Sequence, residues 1–211
     1  MNDSRQPRAP APATPPRRLL HVGCGHAGQA HLPDCFAGPS WHEVRYDIDP
    51  AVQPDLVGSI TEMGMLGDAS FDAIWSSHNL EHLDAFEVPA ALREFRRVLK
   101  PDGFALITLP DLRAIARQIA NDRLTDALYQ SPAGPISPLD MLFGHQASLM
   151  QGQRFMAHRG GFTARTLGQA LLAAGFDEAR VHEGSRWDLW AVASMAHTDP
   201  GLFARLAGVL R

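Results

Sequence analysis

Apolar residues recur along this chain in short blocks that follow two periods. Leu19-Leu20-His21-Val22 is a brief apolar run ending at Gly23-Cys24-Gly25, the pattern of a buried strand that enters a tight turn. Val44, Tyr46 and Ile48 alternate with polar residues and predict a second strand, closed by Asp49-Pro50. Leu56-Val57 predicts a short third strand, Phe71 to Ser77 a fourth, and the strongly apolar Phe104 to Leu109 a fifth, central in its sheet. Between the last two, Val88, Leu92, Phe95 and Leu99 recur at spacings of four, three and four, a helical stripe. Asp84 and Glu87 are placed as a capping box before it, and Lys100 and Pro101-Asp102-Gly103 are placed to end it. A second helix is expected from Thr163, with Phe162 stapled to Leu167, an inner face of Leu167, Leu171 and Ala174, and Gly175 as its stop. Ala179–Glu183 and Asp188–Ser194, joined by Gly184-Ser185-Arg186, read as a terminal hairpin. Strands alternating with helices and then a hairpin predict an α/β fold: a mostly parallel, seven-stranded sheet with one antiparallel strand.

Residues 111–161 break this rhythm. They predict a helix from Leu112 to about Leu128, then a Pro- and Gly-containing turn region and a His-containing stretch, the kind of insert that forms a lid or a substrate loop. The division expected is a disordered tail over 1–16, one domain over 17–196 with this insert, and a C-terminal helix or tail over 197–211.

Composition narrows the function without choosing it. The chain has 211 residues, 45% hydrophobic and 20% charged, ordinary for one globular domain. A net charge of −4 argues against a nucleic-acid backbone as the main partner. The sequence has no apolar run long enough to span a membrane, and its two cysteines, Cys24 and Cys35, make no disulfide framework; a cytoplasmic protein with reduced thiols is expected. The sequence does not give the oligomeric state.

Chemistry-bearing residues follow four successive strands, and in an open parallel sheet those strand ends line one crevice. Gly23 and Gly25 let the backbone approach a ligand closely. Asp47 stands 22 residues after Gly25, the spacing of a carboxylate that accepts hydrogen bonds from a ribose. Asp49 shares its face and remains an alternative. Ser59 and its neighbours are placed to meet a base edge. Ser76-Ser77-His78-Asn79-Leu80-Glu81-His82 is a polar cluster where the reacting end of a ligand would lie. His78 and His82 are four apart, but no third ligand is evident, so no metal is expected.

Leu20-His-Val-Gly-Cys-Gly25, Tyr46-Asp-Ile-Asp49, the stretch Phe71 to Leu83 and Glu94 to Gly103 together resemble the successive motifs of class I S-adenosylmethionine-dependent methyltransferases, above all the type 11 branch. The resemblance implies a Rossmann-like three-layer sandwich. It implies that Gly23, Cys24 and Gly25 pass under the methionine part of the cofactor, that Asp47 holds the ribose and that Ile48 packs on the adenine. Ser59 and Ile60 would face the adenine amino group, and Ser77, His78 and Asn79 would border the sulfonium. Two departures stand out: Ser59 occupies a position that is often Asp in the family, and Pro33 leaves the segment after Gly25 short of helical pattern.

The implied activity is in-line methyl transfer to a small-molecule acceptor, with S-adenosyl-L-homocysteine as product. His78, His145 and His158 are the candidates for a general base, if the acceptor needs one. Trp187, Trp190 and Phe155 are candidates to stack on a planar acceptor, core packing being the simpler reading of Trp190. Two rivals remain. Gly23, Gly25 and Gly28 spell the G-x-G-x-x-G of nicotinamide enzymes, but neither Tyr46 nor Tyr129 is followed three residues on by Lys, and Lys100 is the only lysine. A cofactor-binding protein without catalysis is the other.

Overall fold

The computed structural model describes residues 15–26 and 32–209. The expected tail over 1–14, Gly28 and most of the segment between Gly25 and Pro33 lie outside the described residues. Among the described residues nine strands form: β1 (Arg17–Val22), β2 (Trp41–Asp47), β3 (Leu56–Val57), β4 (Phe71–Ser77), β5 (Leu99–Pro110), β6 (Tyr129–Ser131), β7 (Gly134–Ile136), β8 (Glu178–Glu183) and β9 (Asp188–Ser194). The helices are α1 (Val88–Val98), α2 (Leu112–Ala120), α3 (Pro138–Phe143), α4 (Gln146–Met150), α5 (Ala164–Ala173) and α6 (Leu202–Leu206).

Seven strands make one sheet in the order β3-β2-β1-β4-β5-β9-β8. The pairs β1·β2, β1·β4, β2·β3 and β4·β5 are parallel, and β9 runs antiparallel to both β5 and β8. The fold is therefore the Rossmann-like sandwich with a single reversed strand. Strand order reverses between β1 and β4, the place where an open α/β sheet leaves a crevice at its carboxyl ends.

Alternation along the central strands explains the three layers. Leu20, Val22, Ile74, Ala105, Ile107, Leu109, Ala191 and Ala193 face a core completed by Leu92 and Phe95 of α1 and Leu167 and Leu171 of α5. Their neighbours Leu19, Ala73, Trp75, Phe104, Leu106 and Val192 face the opposite core with Phe36, Leu202, Phe203 and Leu206. Both faces are apolar because both are covered. Trp190 stacks on Trp75 with ring centroids 5.7 Å apart, so it is packing rather than a substrate platform. No helix among the described residues is long and apolar enough to cross a membrane.

Four local expectations change. Glu87 does accept a hydrogen bond from the Asp84 N–H at 2.9 Å, but the helix starts later, at Val88, with Pro89 in its first turn. Lys100 to Gly103 do not form a turn after α1: Leu99 is already extended, and β5 begins there through a pairing with Phe71 that is followed by an irregularity in register. The Lys100 amine reaches the Asp72 carboxylate at 2.7 Å. α2 ends at Ala120 rather than near Leu128, and Asp122 takes a positive φ of 58° just beyond it. The insert is ordered into a two-stranded hairpin and two short helices. Ser137 and Asp140 form a reciprocal capping box at α3, and Thr163 and Thr166 form one at α5.

Candidate functional site

β1 ends in the turn Gly23-Cys24-Gly25. Both glycines have positive φ, 62° and 58°, which L side chains rarely adopt. A Cβ on Gly23 would stand 2.8 Å from Asn79 Cγ, whereas nothing lies within 4 Å of one on Gly25. The first glycine lets the loop after β4 close on the turn, and the second leaves bare backbone.

Asp47, the last residue of β2, faces this turn. Its Oδ2 accepts the Gly25 N–H at 2.9 Å and its Oδ1 accepts the Asp49 N–H at 2.9 Å. Arg45, two residues earlier on the strand, donates to the Gly25 carbonyl. Asp49 instead caps the turn Pro50–Val52, accepting from the Ala51 N–H at 2.9 Å. Ile48 beside Asp47 is 47% exposed, an apolar surface at the mouth of the crevice. Cys24 is buried, which pushes its thiol up to about 11.

Ser59 and Ile60 are occupied locally. The Ser59 hydroxyl bonds Thr61 Oγ1 at 2.7 Å, and its carbonyl accepts from the Tyr46 hydroxyl at 3.0 Å. The Ile60 side chain belongs to the core with Leu20 and Tyr46.

The polar end of β4 is the densest part of the site. Ser76 Oγ, Thr108 Oγ1 and Asn79 Nδ2 are buried without a hydrogen-bond partner among the described residues. Ser77 pairs in register with Thr108, and the His78 N–H donates to the Thr108 carbonyl at 2.8 Å. His78 itself has a positive φ of 48° and projects outward from this bend.

Glu81 is 1% exposed and sits among three histidines. His78 Nδ1 lies 3.2 Å from its Oε1. Its ligating atoms and those of His82 and His158 all lie within 4.8 Å of one another. Burial favours the neutral acid, but the three imidazoles outweigh it and hold the Glu81 carboxyl below its ordinary range. Desolvation likewise opposes charge on His78, and Glu81 overcomes it, raising the imidazole pKa; at His158 burial prevails and lowers it.

The insert supplies His158 through the segment after the turn Arg154–Met156. The N–H groups of Arg159 and Gly160 donate to the Glu81 carbonyl at 2.9 and 3.0 Å, which pins that segment over β4. Sequence reading set His78 beside His82 and named His158 separately, but it did not join Glu81 and His158 to them. His145 bonds Ser148 at the start of α4. Trp187 stacks on Tyr129 at 6.2 Å, and Phe155 is 57% exposed.

Residues 20–107 match the family model described as a methyltransferase domain. No curated protein matches the chain. Among solved structures, the chain resembles the CMeT domain of the citrinin polyketide synthase at 17% identity and TM-score 0.55, over 88% of this chain and 47% of that one. It resembles a SAM-dependent methyltransferase from Archaeoglobus fulgidus at 16% identity and TM-score 0.53, over 85% and 86%. It also resembles the 1,6-didemethyltoxoflavin-N1-methyltransferase of Burkholderia thailandensis, solved with its substrate and S-adenosylhomocysteine, at 17% identity and TM-score 0.51, over 87% and 72%. The chain spans about half the length of the first of these and 62% of another matched structure. At these identities the structures establish the fold, and the family match covers residues 20–107, less than half of the chain.

Proposed function

We propose that the chain is an S-adenosylmethionine-dependent methyltransferase acting on a small molecule. The observation that carries this is the junction of the Gly23-Cys24-Gly25 turn, which follows β1 beside the point where strand order reverses, with Asp47, whose carboxylate accepts the Gly25 N–H. The residues fit the nucleoside cofactor. Asp47 keeps lone pairs for two ribose hydroxyls, Ile48 offers apolar area to an adenine, Gly25 presents bare backbone, and the Asn79 Nδ2 is a buried donor without an acceptor.

Bound S-adenosylmethionine supplies a methyl group already activated by its positively charged sulfur. The chain's own work is to hold cofactor and acceptor in line, a gain of several kcal/mol through proximity alone. Ser77 and Asn79 border the reacting end. His78 is the base for an acceptor that must lose a proton: Glu81 faces Nδ1, which leaves Nε2 free to accept it. Residues 17–196 form the functional unit, and residues 111–161 are the lid that selects the acceptor. Two unpaired thiols suit a reducing, cytoplasmic setting.

Thermal shift and calorimetric titration test this. S-adenosylhomocysteine should raise the melting temperature and NAD should not. Asp47→Ala should weaken S-adenosylhomocysteine binding at least tenfold, the loss of one or more charge-assisted hydrogen bonds at roughly 1.5 kcal/mol or more. Stabilisation by NAD alone, or unchanged affinity in the variant, refutes the assignment.

A further inference from the structure

The group of Glu81, His82 and His158 is more than the methyl-transfer reading requires, and its internal hydrogen bonding does not close. Glu81 is 99% shielded from solvent; His78 Nδ1 stands 3.2 Å from its Oε1, but neither carboxylate oxygen accepts a hydrogen bond of good geometry among the described residues. A buried carboxylate in that state is costly unless a cation faces it. His82 has the complementary problem. Its Nδ1 lies 3.1 Å from the Ala157 carbonyl and its Nε2 lies 3.1 Å from the His78 carbonyl. A neutral imidazole has one N–H, so one of these contacts sets a lone pair against a carbonyl oxygen. His158 is already held as a ligand would be: its Nδ1 is 2.9 Å from the Met141 carbonyl, which fixes Nε2 as the free lone pair.

We infer that Glu81, His82 and His158 form a site for a divalent transition-metal ion of the zinc type. Two imidazoles and one carboxylate are a donor set for Zn2+ that leaves a fourth position open, and harder ions such as Mg2+ favour all-oxygen sets. The donors lie within 4.8 Å of one another. An ion about 2.0–2.1 Å from each would draw the three donors together and take one His82 nitrogen off its carbonyl. Glu81 and His82 come from one turn after β4, whereas His158 comes from the insert 76 residues away, so the ion would fasten the insert to the sheet. The competing occupant is a proton: an imidazolium at His82 donates to both carbonyls and pairs with Glu81 without any metal. The metal site stands or falls independently of methyl transfer.

The test uses the full chain, stripped with chelator and free of any affinity tag, titrated with ZnCl2 and separately with CoCl2 near neutral pH. One equivalent of each should bind. Co2+ should give the visible absorption of a four-coordinate site, and Zn2+ should raise the melting temperature. His158→Ala, whose residue lies outside the sheet, should weaken Zn2+ binding at least tenfold, as should Glu81→Gln, while His145→Ala should leave it unchanged. Circular dichroism identifies any variant that fails to fold, and His158→Ala then decides the matter. Absent binding, or equal binding by wild type and His158→Ala, overturns the site. So does a nitrogen-resolved NMR spectrum in which His82 keeps both ring protons with Zn2+ in excess. A chain that binds S-adenosylhomocysteine but no Zn2+ removes this site and leaves the methyltransferase reading intact.

Discussion

Replacing Gly23 and Gly25 by alanine separates two effects that the turn combines. Both residues sit at positive φ, so each alanine carries the left-handed penalty of roughly 1–2 kcal/mol. Each also narrows the unfolded ensemble, which returns roughly 0.4–1 kcal/mol. Gly25→Ala meets nothing within 4 Å, and its net cost should be about 0–1.5 kcal/mol. Gly23→Ala carries the same terms but sets its methyl 2.8 Å from Asn79 Cγ and 3.1 Å from both Asn79 terminal atoms. Overpacking of that kind adds roughly 1–3 kcal/mol, because Asn79 is hemmed in. Urea denaturation of the two variants should therefore differ by that amount. The decisive measurement repeats both in an Asn79→Ala background, where the difference should fall to within about 0.5 kcal/mol as the clash disappears. A gap that survives removal of the Asn79 side chain, or equal costs in the wild-type background, refutes the claim that the turn and the loop after β4 are fitted to one another.

Other outcomes follow from charge and burial. Arg97 donates to Glu94 at 2.7 and 2.8 Å and to Asp68 at 2.6 Å, and it also bonds the Leu66 and Met63 carbonyls. The Glu94 carboxyl is held below its ordinary 4.5 chiefly by Arg97, so the folded state binds its proton less readily than the unfolded one. Its stabilisation is present above pH 4.5 and fades as pH falls through the lower folded value; denaturation midpoints measured down from pH 5 should drop less steeply in Arg97→Leu than in wild type. Cys24 and Cys35 are both pushed up to about 11 by burial, so neither should react appreciably with iodoacetamide at pH 8 until the chain is unfolded. Rapid native labelling of Cys24 would contradict the closed turn.

Strand periodicity was readable wherever a segment meets the sheet with both faces covered, as in Phe71–Ser77 and Phe104–Leu109, because there the local pattern and the burial coincide. Boundaries were less readable where partners far along the chain decide them. Leu99 reads as the end of a helical stripe, yet its backbone pairs with Phe71 and so begins a strand. The turn and the carboxylate Asp47 were legible because spacing after a strand places them. The gathering of Glu81, His82 and His158 was not, since it depends on how the insert folds back, and no period in the sequence encodes that return. Ser59 has the chemistry of a ligand-facing hydroxyl, and its contact with Thr61 was not legible in the sequence.

Asp111 and Phe162 bridge one another in parallel, and the Leu112 N–H donates to the Phe162 carbonyl at 2.9 Å. The chain thus departs from the sheet and rejoins it at a single doorway, with some fifty residues between. Because closing such a loop depends only weakly on its length, the part of this segment before Ala157, which precedes the contacts of residues 157–160 with the loop after β4, can lengthen or shrink at little cost to the strands on either side. A foreign segment grafted between those two anchors should therefore leave the sheet intact.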